Sequence, residues 1–238
     1  MAAAMAVTPP SLVTSGYFRV HLYVLMGFNV LASMVAWSDT SLNLWPAVTA
    51  AILGYVGSVV WLYEKPRAGI GILILLSGVT LWGAVLTTRF PEDITRLDNL
   101  VVLADVVSSS MLLGVTIAAM FLGHWYLNSP TMELVPLRRL IRFMTVCVIL
   151  RMLFTATGLV TYPWETVPWA NGVQMFVLLR WLSGLLGPLV VSVMAWRTLM
   201  VPNTQAATGI LYVGVILTFL GELTALMLPI ETFFRLGK

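Results

Sequence analysis

The sequence is short of charged residues. Only 10% of its 238 residues are Asp, Glu, Lys or Arg, whereas a soluble domain usually carries about 25%. A soluble fold of this length needs a wider polar shell than these residues can provide, so a soluble globular domain is excluded. The sequence also lacks the segments of about ten residues with alternating polarity that would indicate a membrane β-barrel.

Catalytic and redox motifs are lacking as well. A single cysteine, Cys147, excludes an intramolecular disulfide. The sequence contains no Walker P-loop, GxSxG elbow, CxxC pair or HExxH motif. Lys65 and Lys238, the only lysines, fall outside the apolar segments, which excludes a retinal Schiff base in the last of them. The net charge of +3 reflects arginines at membrane edges and does not indicate nucleic-acid binding.

The sequence is rich in long apolar runs. Hydrophobic residues make up 59% of the chain, and the mean hydropathy is +0.94. Seven runs approach or exceed the roughly 20 residues that a helix needs to cross the hydrocarbon core. They predict an all-α, polytopic membrane helical bundle of about seven transmembrane helices with no soluble domain. The predicted helices are Tyr17–Trp37, Trp45–Tyr63, Gly69–Thr88, Leu100–Leu127, Leu137–Thr161, Gly172–Met200 and Gly209–Leu228.

The segments outside these runs predict one transmembrane domain, residues 16–230, between two short tails. Residues 1–15 are predicted to be a flexible tail in which Pro9 and Pro10 break any helix, and residues 231–238 form a short second tail. Lysine and arginine are more frequent on the amino-terminal side of the predicted membrane. This bias places the amino terminus in the cytoplasm and the carboxyl terminus outside the cell membrane. The expected partners are the lipid bilayer and other membrane or peripheral protein subunits.

Four ionisable residues lie well inside the predicted helices, where each costs at least a few kcal/mol unless it has a partner. Counting about 1.5 Å per residue places Asp105, Arg151, Arg180 and Glu222 at similar depth in the outer half of the bilayer. Two cations and two anions at one level predict a neutralised buried cluster. Small or polar residues at helical spacing indicate an interior seam or cavity beside it. These residues are Ser109, Thr116, Thr155, Gly158, Ser183, Gly184, Gly187, Thr218 and Gly221.

The predicted cluster has two interpretations. Its pairs of arginine and carboxylate either fasten helices together or form a pocket for a polar head group or anion. A quinone, a carboxylate substrate and a haem propionate would each fit such a pocket. A proton path through Asp105 or Glu222 is a further interpretation, and no catalytic residue is assigned.

The only two histidines form a second candidate site. His21 lies near the start of the first predicted helix and His124 near the end of the fourth, which runs in the opposite direction. Both histidines therefore lie at the inner face, at nearly the same depth. Two histidines on facing helices could ligate one b-type haem or help to bind a metal. Alternatively, each histidine bonds only a neighbouring carbonyl or head group.

Three functions fit these features. The first is a membrane subunit of a multi-subunit respiratory or electron-transfer complex that provides a quinone or haem site and a docking surface for partners. In architecture alone, the loop-poor chain is similar to the membrane subunits of bacterial respiratory oxidoreductases. The second is a small anion- or proton-coupled transporter, and the third is a purely structural or assembly subunit. The basic segment 132–143 predicts contact with anionic lipid head groups or a partner, although positive-inside topology explains it equally well.

Overall fold

The computed structural model describes residues 1–39, 42–88, 96–129, 131–161, 171–201 and 203–227. Of these described residues, 88% are helical and none forms a strand, which confirms the predicted all-α class. A π-helical segment, Arg180–Leu186, joins α7 directly to α8. The α-helices are α1 (Ala2–Val7), α2 (Ser15–Ser38), α3 (Trp45–Leu62), α4 (Pro66–Thr87), α5 (Arg96–Asn128), α6 (Val135–Thr161), α7 (Asn171–Leu179), α8 (Gly187–Met200) and α9 (Thr204–Met227).

Within the described residues, seven segments have the length and composition to cross a membrane. They correspond one to one with the seven predicted apolar runs, so the polytopic helical bundle is confirmed. The largest difference in length is in α5, which begins at Arg96 rather than Leu100 and extends over 33 residues. The spans are Ser15–Ser38, Trp45–Leu62, Pro66–Thr87, Val102–Asn128, Val135–Thr157, Gln174–Met200 and Thr204–Met227.

The helices group into two compact units, where the sequence predicts one transmembrane domain. The first unit contains Met1–Arg89 and Asn128–Pro136, and the second contains Phe90–Leu127 and Leu137–Lys238. The second predicted tail, residues 231–238, lies outside the described residues. All four ionisable residues of the predicted cluster belong to the second unit.

The first fifteen residues contain a short helix where the sequence predicts a flexible tail. Helix α1 packs against α4, and Met5 is fully buried in the first unit. The helix ends at Val7, before the two prolines, and the Thr8 hydroxyl donates a hydrogen bond to the carbonyl oxygen of Ala4. An isolated helix of this length is unstable in water. Its order therefore comes from the contact with α4, which the local sequence does not reveal.

Aromatic packing joins α2 to α3 in the first unit. The rings of Phe18 and Trp61 are stacked, with 4.0 Å between their centroids and an angle of 6° between their planes. Tyr17 meets the Phe18 ring edge-on at 5.2 Å. All three side chains are buried, so they form a core at the end of the unit where α2 begins and α3 ends.

A close backbone contact joins α9 to the π segment in the second unit. A Cβ atom added to Gly184 would lie 2.7 Å from the Cα of Gly221, so neither position has room for a side chain. Small residues of this kind let two membrane helices approach closely. Because Glu222 directly follows Gly221, this contact fixes the level at which Glu222 enters the interior of the unit.

The sixth apolar run, predicted as a single helix, contains the π-helical segment in its middle. The N–H of Gly187 donates to the carbonyl oxygen of Leu182, five residues earlier, as in a π-helix. Pro188 supplies the physical reason, since proline has no N–H and its ring clashes with the carbonyl four residues earlier, here that of Gly184. The wider turn relieves this clash. It also buries Ser183, Gly184 and Leu185 side by side.

Candidate functional site

The structure brings together all four ionisable residues that the sequence places at one depth. Arg151, on α6, pairs with Asp105 of α5 and with Glu222 of α9. Arg180, the first residue of the π segment, lies 3.7 Å from Asp105. Four elements of the second unit, namely α5, α6, the π segment and α9, thus contribute one charge each. The cluster is neutral when all four groups are ionised.

Arg151 lies at the centre of the cluster, and acceptors surround its guanidinium. Its Nε and Nη2 atoms lie 3.2 and 3.0 Å from the two carboxylate oxygens of Glu222, a bidentate pair. Its Nη1 donates to Oδ1 of Asp105, to the Asp105 carbonyl oxygen at 3.1 Å and to the Ser108 hydroxyl at 3.2 Å. The Arg151 side chain is only 2% exposed. These bonds therefore replace the water that a guanidinium loses on burial.

The two carboxylates differ in their access to the surroundings. Glu222 is held by both Arg151 and the Ser109 hydroxyl, which donates to Oε2 at 2.5 Å. Its side chain is 14% exposed, whereas that of Asp105 is 28% exposed. The cluster is therefore more accessible beside Asp105 than beside Glu222.

Arg180 is nearly as buried as Arg151 but is far less well paired. Its side chain is 8% exposed. Its Nη2 atom lies 3.4 Å from the Thr155 hydroxyl and 3.7 Å from Oδ1 of Asp105, and these are its polar contacts within the described part of the chain. A guanidinium has five N–H groups. Most of those on Arg180 therefore have no acceptor among the described residues.

An apolar cleft lies between α5 and α6, next to the cluster. Its volume is about 360 Å³. Ser108, which accepts a hydrogen bond from Arg151, is one of its lining residues, and Ser108 and Cys147 are buried. Leu100 and Leu150 are exposed, so the cleft opens at the surface of the unit. The other lining residues are Leu103, Ala104, Val107, Met111, Phe143 and Phe154.

The two histidines belong to different compact units, and each has a local partner. In the first unit, Nδ1 of His21 lies 2.5 Å from the carbonyl oxygen of Tyr17, one turn earlier. In the second unit, Nδ1 of His124 lies 3.3 Å from the Tyr212 hydroxyl. The His21 contact is the bond to a neighbouring carbonyl named as the alternative to haem ligation, whereas the partner of His124 is a side-chain hydroxyl. A haem shared by His21 and His124 stays a prediction. Among the described residues, no group of three or more His, Cys, Asp or Glu side chains could hold a metal ion.

Sequence reasoning missed Ser108 and the unequal pairing of the two arginines. Ser108 lies three residues after Asp105, a spacing that places both on one face of a helix, so its signal is present in the sequence. The unequal pairing has no such signal. It depends on the direction in which each side chain leaves its helix, and for Arg180 that direction is set by the π-helical segment.

Seven membrane-length helices in the described ranges, with a buried cluster of four charges in the second unit, define this chain as a multi-pass α-helical membrane protein with an intramembrane polar site. In comparisons with known proteins, the chain matches no family model, no curated protein and no solved structure.

Proposed function

We propose that this protein is an integral membrane subunit of an electron-transfer complex and that its charged cluster binds the head group of a quinone. The observation that carries the proposal is the contrast between the two arginines. Arg151 is surrounded by acceptors, whereas the buried Arg180 has only two long polar contacts to the described part of the chain. An arginine that is buried in a membrane without full pairing is a strong candidate for contact with a ligand.

The charge balance favours a quinone over an anionic substrate. The two arginines already neutralise Asp105 and Glu222, so an anion would add one uncompensated negative charge to a buried site. A quinone is neutral, and its carbonyl oxygens can accept hydrogen bonds from Arg180. The Thr218 hydroxyl, one turn before Glu222, is a further buried polar atom with no hydrogen-bond partner among the described residues.

The remaining features of the site fit the rest of a quinone molecule. Asp105, the more exposed carboxylate, would exchange the protons that accompany quinone reduction. The cleft between α5 and α6 offers an apolar surface beside Ser108 for the isoprenoid chain. Electrons would come from partner subunits of the proposed complex. A b-type haem on His21 and His124 would be a separate cofactor, and the Soret region of the absorption spectrum of the purified protein tests it independently.

Replacing Arg180 with glutamine is expected to weaken quinone binding by about 10- to 150-fold, because a charge-assisted hydrogen bond contributes about 1.5–3 kcal/mol. The measurement is the dissociation constant of a decyl-substituted benzoquinone for the purified full chain, obtained by equilibrium dialysis in detergent. Arg139→Gln is the matched control, since it removes the same charge from an exposed position on α6.

Decylbenzene, which carries the same tail and no carbonyl oxygens, separates head-group recognition from partition into an apolar surface. We expect it to bind weakly to the wild type and equally weakly to Arg180→Gln. The proposal fails if decylbenzene binds as tightly as the quinone, or if Arg180→Gln binds the quinone with the affinity of the wild type.

The proposal also includes an orientation and a location. Arg138, Arg139 and Arg142 near the start of α6 and Arg197 near the end of α8 lie at one end of the second unit. By the positive-inside rule this end is cytoplasmic. The amino terminus is then in the cytoplasm, the carboxyl terminus is outside the cell membrane, and the charged cluster lies in the outer half of the bilayer.

Proton-coupled transport is the second candidate function, and the π segment favours it. Interrupted helices often line the substrate sites of transporters, and π turns occur frequently at functional sites. Under the quinone proposal, liposomes that contain the wild type should show no more proton flux than protein-free liposomes, as followed by an enclosed pH-sensitive dye. A proton flux in the wild type that Glu222→Gln abolishes would overturn the quinone proposal and identify the protein as a transporter. A purely structural subunit would bind no quinone and carry no flux.

A further inference from the structure

The second unit carries a basic surface at the end remote from the charged cluster. Arg138, Arg139 and Arg142 lie near the start of α6, and Trp196 and Arg197 lie near the end of α8. We refer to these five residues as the arginine face. The face joins α6 to α8, because Nη2 of Arg138 donates to the carbonyl oxygen of Leu199 at 2.7 Å. It is also held by Arg142, whose guanidinium carbon lies 5.7 Å from the centroid of the Trp196 ring.

The positive charge of this face is not neutralised within the described part of its unit. Arg139, Arg142 and Arg197 are exposed, and Arg138 is half-buried. The carboxylates among the described side chains of the second unit are Asp105 and Glu222, and both pair with Arg151 in the cluster. Glu133, which precedes α6 in the chain and belongs to the first unit, carries one negative charge against the four positive charges of the face. The arginine face therefore attracts an anion from outside the unit.

We propose that the arginine face binds the phosphate group of an anionic phospholipid. Guanidinium groups fit phosphate oxygens as bidentate donors, and tryptophan is typical of the level of lipid head groups. The face lies at the ends of two membrane-spanning segments, where lipid phosphates are found. Val146 follows Arg142 by one helical turn and Val193 precedes Arg197 by one, and both are exposed. These apolar positions continue the surface towards the hydrocarbon core, where acyl chains would lie.

This binding differs from the general attraction between positive loops and an anionic membrane surface. Arg138 and Arg142 are each fixed by a contact to α8, so the positive groups form a defined surface. Arg67 provides a matched comparison, because it is an exposed arginine at the start of α4 in the first unit. If positive charge alone mattered, loss of Arg67 would weaken lipid binding as much as loss of an arginine on the face.

Native mass spectrometry of the full chain in detergent tests the proposal with phosphatidylglycerol and phosphatidylcholine of identical acyl chains. We expect the wild type to bind phosphatidylglycerol more tightly. An arginine near an anionic lipid surface contributes about 1 kcal/mol, equivalent to about 5-fold in affinity. The double variant Arg142→Gln with Arg197→Gln should therefore lose about 25-fold in affinity for phosphatidylglycerol, whereas Arg67→Gln should change it by less than about 2-fold.

Two further arms identify the ligand and separate binding from folding. Inorganic phosphate at millimolar concentration should leave phosphatidylglycerol bound, and displacement by phosphate would show a soluble anion as the ligand and overturn the proposal. Circular dichroism should show unchanged helix content in the double variant. Equal affinity of the wild type for the two lipids would overturn the proposal, whatever the variants do. Equal losses of phosphatidylglycerol affinity in the double variant and in Arg67→Gln would also overturn it.

Discussion

Replacing Arg151 with alanine is expected to lower the free energy of unfolding by about 3–5 kcal/mol, because removing one partner of a buried ion pair leaves the other charges uncompensated. Arg151 holds both carboxylates of the cluster, which come from α5 and α9. Without it, Glu222 retains the Ser109 hydroxyl, and Asp105 retains only the 3.7 Å contact with Arg180 in the described structure. Reversible unfolding in mixed micelles, followed by circular dichroism, measures the change.

Two variants show whether the effect arises from the cluster. Arg139→Ala removes an exposed arginine from the same helix and should change the free energy of unfolding by less than about 0.5 kcal/mol. A fourfold variant should recover much of the lost stability, because well-packed apolar residues can replace buried charges. Its substitutions are Asp105→Leu, Arg151→Met, Arg180→Met and Glu222→Leu. A loss below about 1 kcal/mol in Arg151→Ala would show that the charges are not paired as described.

Replacing Gly221 with alanine is expected to separate α9 from the π segment. The added Cβ would clash with the backbone of Gly184, and backbone atoms on two helices cannot move aside as a flexible side chain can. Overpacking of a well-packed interior typically costs about 1–3 kcal/mol. The loss should lie at the upper end of this range, because the shift also displaces Glu222 and weakens its bidentate pair with Arg151.

Gly209 offers a matched control on the same helix. A Cβ atom added there meets no atom within 4 Å. Gly209→Ala should therefore leave stability unchanged or raise it by up to about 1 kcal/mol, since alanine is the better helix former. The two variants can be compared by thermal denaturation in one detergent. Equal melting temperatures for Gly221→Ala and Gly209→Ala would contradict the close contact between α9 and the π segment.

The crossings and the depth of the charges could be predicted from the sequence because both depend on distance along the chain. The length of each apolar run determines whether it can cross the membrane. The rise per residue then places Asp105, Arg151, Arg180 and Glu222 at one level. Since an unpaired charge in a membrane is costly, groups of opposite sign at one level are expected to meet.

Features that depend on packing between distant segments could not be predicted in this way. The burial of α1 depends on α4, and the position of Glu222 depends on the contact between Gly184 and Gly221. Gly187 and Pro188 indicate an irregular helix, but not that the irregularity begins at Arg180. Depth along the helices pairs His21 with His124, but depth alone does not predict the local bond between His21 and the Tyr17 carbonyl.

We expect Arg151 to stabilise the fold and Arg180 to bind the quinone. The shift in melting temperature that the quinone induces tests this division of roles most directly. The wild type, Arg151→Gln and Arg180→Gln would each be melted with and without the decyl-substituted benzoquinone. We predict that the quinone raises the melting temperature of the wild type. Without ligand, Arg180→Gln should melt between the wild type and Arg151→Gln, because in the described structure it loses only the 3.4 Å contact with Thr155 and the 3.7 Å contact with Asp105, and it should show no such rise with quinone. Arg151→Gln should melt far lower even without ligand. An equal rise in the wild type and Arg180→Gln would contradict this division of roles between the two arginines.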